Sequence, residues 1–136
     1  MAHEFRLRVY YEDTDAGGVV YHANYLCFAE RARSEALIDL GLSQTYLRES
    51  QGFLFMVRAA ALDYRAPAFL EDELVVRTRV DLLGGARILM RQDICRGDQI
   101  LVVCDITLVC VGTEGRAARV PDDIREKLAT LKETAA

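Results

Sequence analysis

The chain has 136 residues, of which 51% are hydrophobic and 28% are charged, and its formal net charge is −4. This length predicts one domain over residues 1–136 that can bury its own core, and the mild acidity argues against a nucleic-acid-binding protein. No apolar run approaches the roughly 20 residues that a membrane helix needs, and the N-terminus lacks the apolar segment of a signal peptide. We therefore expect a cytoplasmic protein without a membrane span.

The first predicted elements are a strand, a polar loop and a long helix. Glu4–Tyr11 alternates apolar and polar side chains, which predicts a strand, and residues 12–18 have the composition of a turn. A helix of about four to five turns should follow and end at Leu40, with Gly41 as its C-terminal cap. Its apolar positions recur at spacings of three and four and include several alanines, which favours close packing against a sheet.

The rest of the chain alternates strands with tight turns and ends in a short amphipathic helix over Asp122–Lys132. Residues 42–51 are predicted to form a short helical or irregular link. The four predicted strands are Phe53–Arg65, Leu74–Leu83, Arg87–Arg96 and Gln99–Val111. The last is the most apolar, which predicts a central position, and Gly84-Gly85 is typical of a hairpin turn. This order predicts an α+β fold, in which a five-stranded antiparallel sheet packs one face on the long helix.

The predicted sheet is too wide for one helix to cover. Its strands also place arginines on the face away from the helix: Arg77, Arg79, Arg87 and Arg91. We therefore expect a homo-oligomer, in which a second copy completes an edge or a face of the sheet.

The four cysteines do not have the pattern of a metal site. They stand at positions 27, 95, 104 and 110, without a C-x-x-C pair, and the two histidines are at 3 and 22. We expect them to be small buried side chains rather than zinc ligands, and we expect no metal.

The densest group of reactive side chains lies between the first strand and the long helix, over residues 11–25. It contains three carboxylates, a glycine pair, a histidine and three tyrosines. Unpaired N–H groups at a helix start suit an oxyanion, and a carboxylate on the preceding loop could act on the same atom. That arrangement is typical of acyl transfer. Turn and cap formation would also explain Asp13, Thr14 and Asp15, so the residues alone leave both interpretations open.

The segment Asp13–Tyr25, followed by Phe28–Arg33, closely resembles the YbgC-type branch of the 4-hydroxybenzoyl-CoA thioesterase family. The likeness continues through Phe53–Pro67, where residues 63–67 are similar to the family's strand-ending segment, and it covers nearly the whole chain. The resemblance implies a hot-dog fold, in which an antiparallel sheet wraps a long central helix. It also implies dimers with a continuous sheet, often paired into tetramers, and active sites at the dimer interface. The implied activity is metal-independent hydrolysis of acyl-CoA thioesters, without a cofactor.

The resemblance also assigns roles to individual residues. The family's catalytic aspartate corresponds to Asp15, as nucleophile or as general base on water. The backbone N–H that polarises the thioester carbonyl corresponds to His22, whose side chain is a further feature of this branch. The other predicted site residues bind substrate or shape the loop: Gly17, Gly18, Val19, Tyr21 and Asn24. Glu30 is the alternative catalytic carboxylate; otherwise it should pair with Arg31 or Arg33.

Two further functions are compatible with the same fold. The chain could bind acyl-CoA or acyl carrier protein without hydrolysis, or it could hydrate or dehydrate an acyl thioester. The intact Asp15 and the glycine pair favour hydrolysis. The expected partner is therefore an acyl-CoA substrate, with acyl carrier protein as the alternative thioester donor.

Overall fold

A computed structural model of the chain describes residues 1–133. Its five strands are β1 (His3–Arg8), β2 (Phe53–Tyr64), β3 (Glu73–Leu83), β4 (Arg87–Arg96) and β5 (Gln99–Gly112). Its helices are α1 (Asn24–Asp39), α2 (Gln44–Tyr46) and α3 (Asp122–Ala129), with a 3-10 turn at Tyr11–Asp13 and a π-helical turn at Leu47–Gln51. The predicted α+β arrangement of a five-stranded antiparallel sheet and one long helix is confirmed.

The strands lie in the order β1-β3-β4-β5-β2, and every neighbouring pair is antiparallel. The apolar strand β5 is an interior strand, as predicted, but the middle position belongs to β4. Apolar composition indicates that the side chains of a strand are buried, as they are in the interior of a sheet. It does not report the order of interior strands, which depends on the path of the connections.

Helix α1 packs its apolar side on one face of the sheet. Its buried residues follow the predicted spacing: Tyr25, Phe28, Ala29, Ala32, Ala36 and Leu37. A polar network joins the helix to the sheet, because buried Gln92 donates its amide to the Ala29 carbonyl at 2.8 Å and to Thr78 Oγ1 at 2.9 Å. Arg33 Nη1 in turn donates to Gln92 Oε1 at 2.9 Å. Gly41 ends the helix in the left-handed conformation, with φ of 77°.

Strand β1 is shorter than predicted. The alternation extends to Tyr11, but the strand ends at Arg8 and a 3-10 turn follows at Tyr11–Asp13. The carboxylate of Asp13 accepts a hydrogen bond from the N–H of Tyr10 at 2.9 Å, and this contact turns the chain away from the sheet. The polar turn therefore begins before the apolar alternation ends.

Helix α3 closes one end of the core. It buries Ile124 and Leu128, and Arg125 Nη2 donates to the Leu83 carbonyl at 3.2 Å near the β3–β4 hairpin. The helix ends at Ala129, three residues before the predicted end. Residues 134–136 lie outside the described part of the chain, so the prediction of one domain over residues 1–136 stays a prediction. No helix among residues 1–133 is long and apolar enough to cross a membrane.

Two of the four predicted arginines on the outer face of the sheet, Arg79 and Arg91, have acidic partners on the same face. Arg79 Nε lies 3.0 Å from Asp81 Oδ1, and Arg91 Nε lies 3.1 Å from Asp93 Oδ1. The hydrogen bond to Asp93 raises the pKa of Arg91. Arg79 and Arg91 are thus neutralised within this face, whereas Arg77 and Arg87 form no ion pair among residues 1–133.

The edge strand β2 is the more open surface. All side chains over residues 56–61 are exposed, including Met56 at 53% and Val57 at 51%. The pairing with β5 shifts between Val57 and Ala59, which is a bulge in the edge strand. An exposed apolar edge is the usual site for pairing with another chain. The predicted homo-oligomer has its best support here and stays a prediction.

The prediction that all four cysteines are buried was wrong for Cys27. Cys95, Cys104 and Cys110 are buried in the sheet, whereas Cys27 is exposed because it lies on α1 between the inward positions 25 and 28. Burial raises the pKa of Cys104 to about 12 and that of Cys110 to about 11.

We expect Ellman's reagent to modify one thiol per chain in the native protein and all four in denaturant. The thiolate is the reacting form, and the three buried thiols are both inaccessible and shifted to higher pKa. A spectrophotometric time course measures the count, and Cys27→Ser should abolish the fast phase. Rapid modification of a second native thiol would show that a buried cysteine opens.

Candidate active site

The loop between β1 and α1 folds into a small hairpin. Thr14 and Val20 form an antiparallel bridge, and the N–H of Asp15 donates to the Val19 carbonyl at 2.9 Å. The N–H of Gly18 donates to the Asp15 carbonyl at 3.0 Å and closes the turn. Asp15 therefore stands at the start of a tight, hydrogen-bonded turn, and its side chain is exposed.

The carboxylate of Asp15 has one oxygen held and one open. Its Oδ1 accepts from the N–H of Gly17 at 2.8 Å. Among residues 1–133 this is the one hydrogen bond that the carboxylate makes, so Oδ2 can contact water or a substrate. A carboxylate fixed at one oxygen and open at the other suits a nucleophile or a general base.

Each of the two glycines of the turn is needed for a different structural reason. A Cβ on Gly17 would lie 3.1 Å from Asp15 Oδ1, so the missing side chain leaves room for the carboxylate. Gly18 has φ of 78°, in the left-handed region that favours glycine. Their predicted role in the approach of an acyl group stays a prediction.

His22 lies just before α1, with an unpaired backbone N–H. The helix begins at Asn24 with Ala23 as its N-cap. No acceptor in the described part of the chain pairs with the N–H of His22. The positive end of a helix dipole and an unpaired N–H both favour a developing oxyanion.

The segment around His22 is tied to Asp13, a buried residue of the same loop. The N–H of Tyr21 donates to the Asp13 carbonyl at 2.9 Å, and Asn24 Nδ2 donates to Asp13 Oδ1 at 3.0 Å. Two roles were predicted for Asn24, substrate binding and shaping of the loop. Its hydrogen bond to Asp13 supports the second. Val19 pairs with Phe69, and the Tyr21 side chain is exposed.

A cleft of about 280 Å³ lies between this loop and the end of β2. It is lined by Val20, Tyr25, Tyr64, Arg65, Ala66 and Pro67. The Tyr64 hydroxyl donates to the His22 carbonyl at 3.0 Å, which connects the end of β2 to the predicted oxyanion donor. The Tyr25 hydroxyl accepts from the N–H of Ala68 at 3.1 Å, and burial raises the pKa of Tyr25.

Sequence reasoning assigned no role to Tyr64 and treated Asp13 only as a turn former or cap. Tyr64 belongs to the strand-ending segment that resembles the family, so its position was known but its contact was not. The sequence feature that could have indicated a role for Asp13 is its position two residues before Asp15 in the same motif.

Glu30 does not make the predicted ion pair. Across residues 1–133 no arginine nitrogen lies within 4.0 Å of its carboxylate, which instead accepts from Ser34 Oγ at 3.3 Å. Arg33 turns inward to Gln92, and burial lowers its pKa. Glu30 borders a separate cavity of about 180 Å³ that also contacts Phe55 and Val57 at the start of β2.

The described residues contain no group of three or more His, Cys, Asp or Glu side chains arranged to hold a metal ion. The candidate loop itself offers the open carboxylate oxygen of Asp15 and the unpaired N–H of His22. The prediction of metal-independent chemistry stays a prediction.

Comparison with known proteins places these features in a family. Residues 9–128 match the model of the thioesterase-like superfamily. The chain is 49% identical to acyl-CoA thioesterase YbgC of Haemophilus influenzae, over 79% of this chain and 79% of that protein. It is 42% identical to acyl-CoA thioester hydrolase YbgC of Escherichia coli, over 77% of this chain and 78% of that protein.

A solved structure agrees with the sequence relatives. The 1,4-dihydroxy-2-naphthoyl-CoA thioesterase of Synechocystis superposes with a TM-score of 0.88 at 25% identity, covering 96% of this chain and 98% of that one. The predicted hot-dog fold and the predicted resemblance are therefore confirmed. The chain belongs to the thioesterase-like superfamily, in the YbgC branch of hot-dog thioesterases.

Proposed function

We propose that this protein hydrolyses acyl-CoA thioesters to a free carboxylic acid and coenzyme A in the cytoplasm. Asp15 is the nucleophile or general base, and the N–H of His22 polarises the thioester carbonyl. The observation that carries the proposal is the loop geometry, with an open carboxylate oxygen on Asp15 and an N–H of His22 that has no acceptor among residues 1–133. The acyl-CoA class is supported by the names of the two YbgC relatives.

Both roles of Asp15 lead to the same products. As a base, its carboxylate takes a proton from water while the water oxygen attacks the thioester carbon. As a nucleophile, it forms a mixed anhydride that water then hydrolyses. In either route the C–S bond breaks and coenzyme A leaves as the thiolate, which then takes up a proton. Charge develops on the carbonyl oxygen, where the loss of one N–H donor typically costs about 2.7–4 kcal/mol.

We also propose that the enzyme is a homo-oligomer joined through β2, as a dimer or a dimer of dimers. An antiparallel pairing of two β2 strands places the start of one beside the end of the other. The cavity bordered by Glu30 and Phe55 then adjoins the second copy's cleft next to Tyr64. A site completed in this way would exist only in the oligomer.

The first experiment is thiol release from short, medium, long and aromatic acyl-CoAs, with an enzyme-only blank for Cys27. Equal yields of free acid and free thiol support hydrolysis. Tight acyl-CoA binding without thiol release supports the binding-module alternative, and formation of an unsaturated acyl-CoA supports dehydration. A parallel panel of acyl carrier protein thioesters tests the other donor.

Gly17→Ala should lower kcat by up to about 10-fold, because the carboxylate must move by a few tenths of an ångström and a misplacement of about 1 Å costs about 100-fold. The new Cβ would lie 3.1 Å from Asp15 Oδ1 and displace the carboxylate. Steady-state thiol release measures the effect. Gly85→Ala is the matched control, since its nearest atom would be 4.0 Å away, and it should keep wild-type kcat. Equal kcat in both variants would contradict a precise placement of Asp15.

A further inference from the structure

Asp13 is a buried carboxylate in a loop whose other acidic residues are exposed. Its side chain is 4% exposed. Oδ2 accepts from the N–H of Tyr10 at 2.9 Å, and Oδ1 accepts from Asn24 Nδ2 at 3.0 Å. In the described part of the chain no basic nitrogen lies within 4.0 Å of it. A buried charge is costly unless it is hydrogen-bonded, so each of these two donors matters.

The same residue holds the chain on both sides of His22. The Asp13 carbonyl accepts from the N–H of Tyr21 at 2.9 Å, and the N–H of Asn24 donates to the Tyr21 carbonyl at 2.8 Å. Residues 21–24 are thus attached to Asp13 through the main chain at Tyr21 and through the side chain at Asn24. A displacement of the Asp13 carboxylate would move the peptide group of His22.

Asp13 is also close in sequence to the catalytic carboxylate. Asp15 follows two residues later on one side of the small hairpin, and its N–H bonds to Val19 on the other side. The Thr14–Val20 bridge lies between that bond and the Tyr21–Asp13 bond. One short ladder therefore links the backbone of Asp15 to the segment that contains His22, and Asp13 is its buried end.

We propose that Asp13 and Asn24 form a positioning pair that holds the N–H of His22 in place relative to the carboxylate of Asp15. The proposal rests on the proposed thioesterase function. Neither member of the pair contacts the substrate. Asn24 acts through His22 rather than by binding the acyl-CoA itself.

Exchange of the two side-chain types tests the pair. Asn24→Asp places two carboxylates face to face. Asp13→Asn keeps both bonds once the Asn24 amide rotates, because the Asn24 oxygen then accepts from the new amide while Tyr10 keeps an oxygen acceptor. In the double variant the amide and the carboxylate change places, so an N–H can again join them and Tyr10 keeps an oxygen acceptor. Asn24→Asp should lower kcat on the order of 10- to 100-fold with KM changed by less than about 3-fold, and Asp13→Asn should lower kcat by a smaller factor. The double variant should recover kcat to within about 3-fold of wild type.

A second measurement does not depend on turnover. The backbone amide resonance of His22 should shift in Asn24→Asp and return in the double variant. Asp98→Asn, an exposed aspartate in the β4–β5 turn, should leave both the resonance and kcat unchanged.

The outcomes separate this proposal from the proposed function. Recovery of the unfolding free energy without recovery of kcat would mean a structural role only and would overturn the positioning pair. A wild-type protein that hydrolyses no thioester contradicts the proposed function. The positioning pair is then tested by the shift of the His22 amide resonance, which needs no activity. An unshifted His22 resonance in Asn24→Asp overturns it. If a single variant does not fold, the double variant tests the positioning pair. A wild-type kcat and a wild-type His22 resonance in the double variant support the pair, and loss of either overturns it.

Discussion

Replacement of Asp15 by asparagine is expected to lower kcat for acyl-CoA hydrolysis by about 10²- to 10⁴-fold, the range for loss of a general base. Asparagine has nearly the same size, and its carbonyl oxygen can still accept the hydrogen bond from Gly17 that holds Oδ1 at 2.8 Å. The amide can neither take the proton of water nor attack the thioester carbon. Steady-state thiol release measures kcat, and thermal unfolding should show a midpoint close to that of the wild type.

The control for this variant is Asp98→Asn, which removes an exposed carboxylate far along the chain from the loop. It should keep wild-type kcat. Near-normal turnover by Asp15→Asn would remove Asp15 from the mechanism and direct attention to Glu30. Glu30→Gln would then be the next variant, because Glu30 is an exposed carboxylate that borders a cavity.

Introduction of a lysine at Ala60 is expected to convert the homo-oligomer to single chains and to lower turnover by more than about 10-fold, since charged residues on an edge strand oppose pairing with another chain. Ala60 is exposed on β2, and Arg58 already places positive charge nearby. If the site is completed by the second copy, separation of the chains removes part of it. Sedimentation velocity measures the mass, and thiol release measures the turnover of the same sample.

The matched control is Ala129→Lys, the same substitution on the exposed side of α3. It should keep the wild-type mass and activity. A wild-type protein that sediments as a single chain would contradict the proposed oligomer. Full turnover by single chains of Ala60→Lys would contradict the shared site while leaving the chemistry of Asp15 intact.

Elements with local signals were predicted closely. Strand β4 has the predicted bounds, Arg87–Arg96, because its alternation and its flanking turns are contained in about ten residues. Helix α1 ends within two residues of Gly41, where the left-handed conformation requires a glycine. The alternation of β1 was misleading at its end, since the Asp13 side chain redirects the chain there.

Contacts between distant segments were not accessible to the same reasoning. The Tyr64 hydroxyl reaches the His22 carbonyl across 42 residues of sequence, and Arg33 reaches Gln92 across 59. The second contact explains why Arg33 does not form the predicted ion pair with Glu30. Cys27 is likewise the same residue type as the three buried cysteines, and it is exposed because it lies on the outer side of α1.

By itself the sequence determined the fold class, the family and the loop over residues 13–25 as the candidate site, because periodicity, turn residues and a long contiguous motif are all local properties of the chain. Tertiary structure alone decided which groups in that loop are open and which are held. Burial of Asp13, the open oxygen of Asp15 and the unpaired N–H of His22 among residues 1–133 depend on how β1, α1 and the end of β2 pack together. A buried carboxylate needs hydrogen-bond donors and an exposed one does not, so the same residue type holds the loop at position 13 and is free to react at position 15.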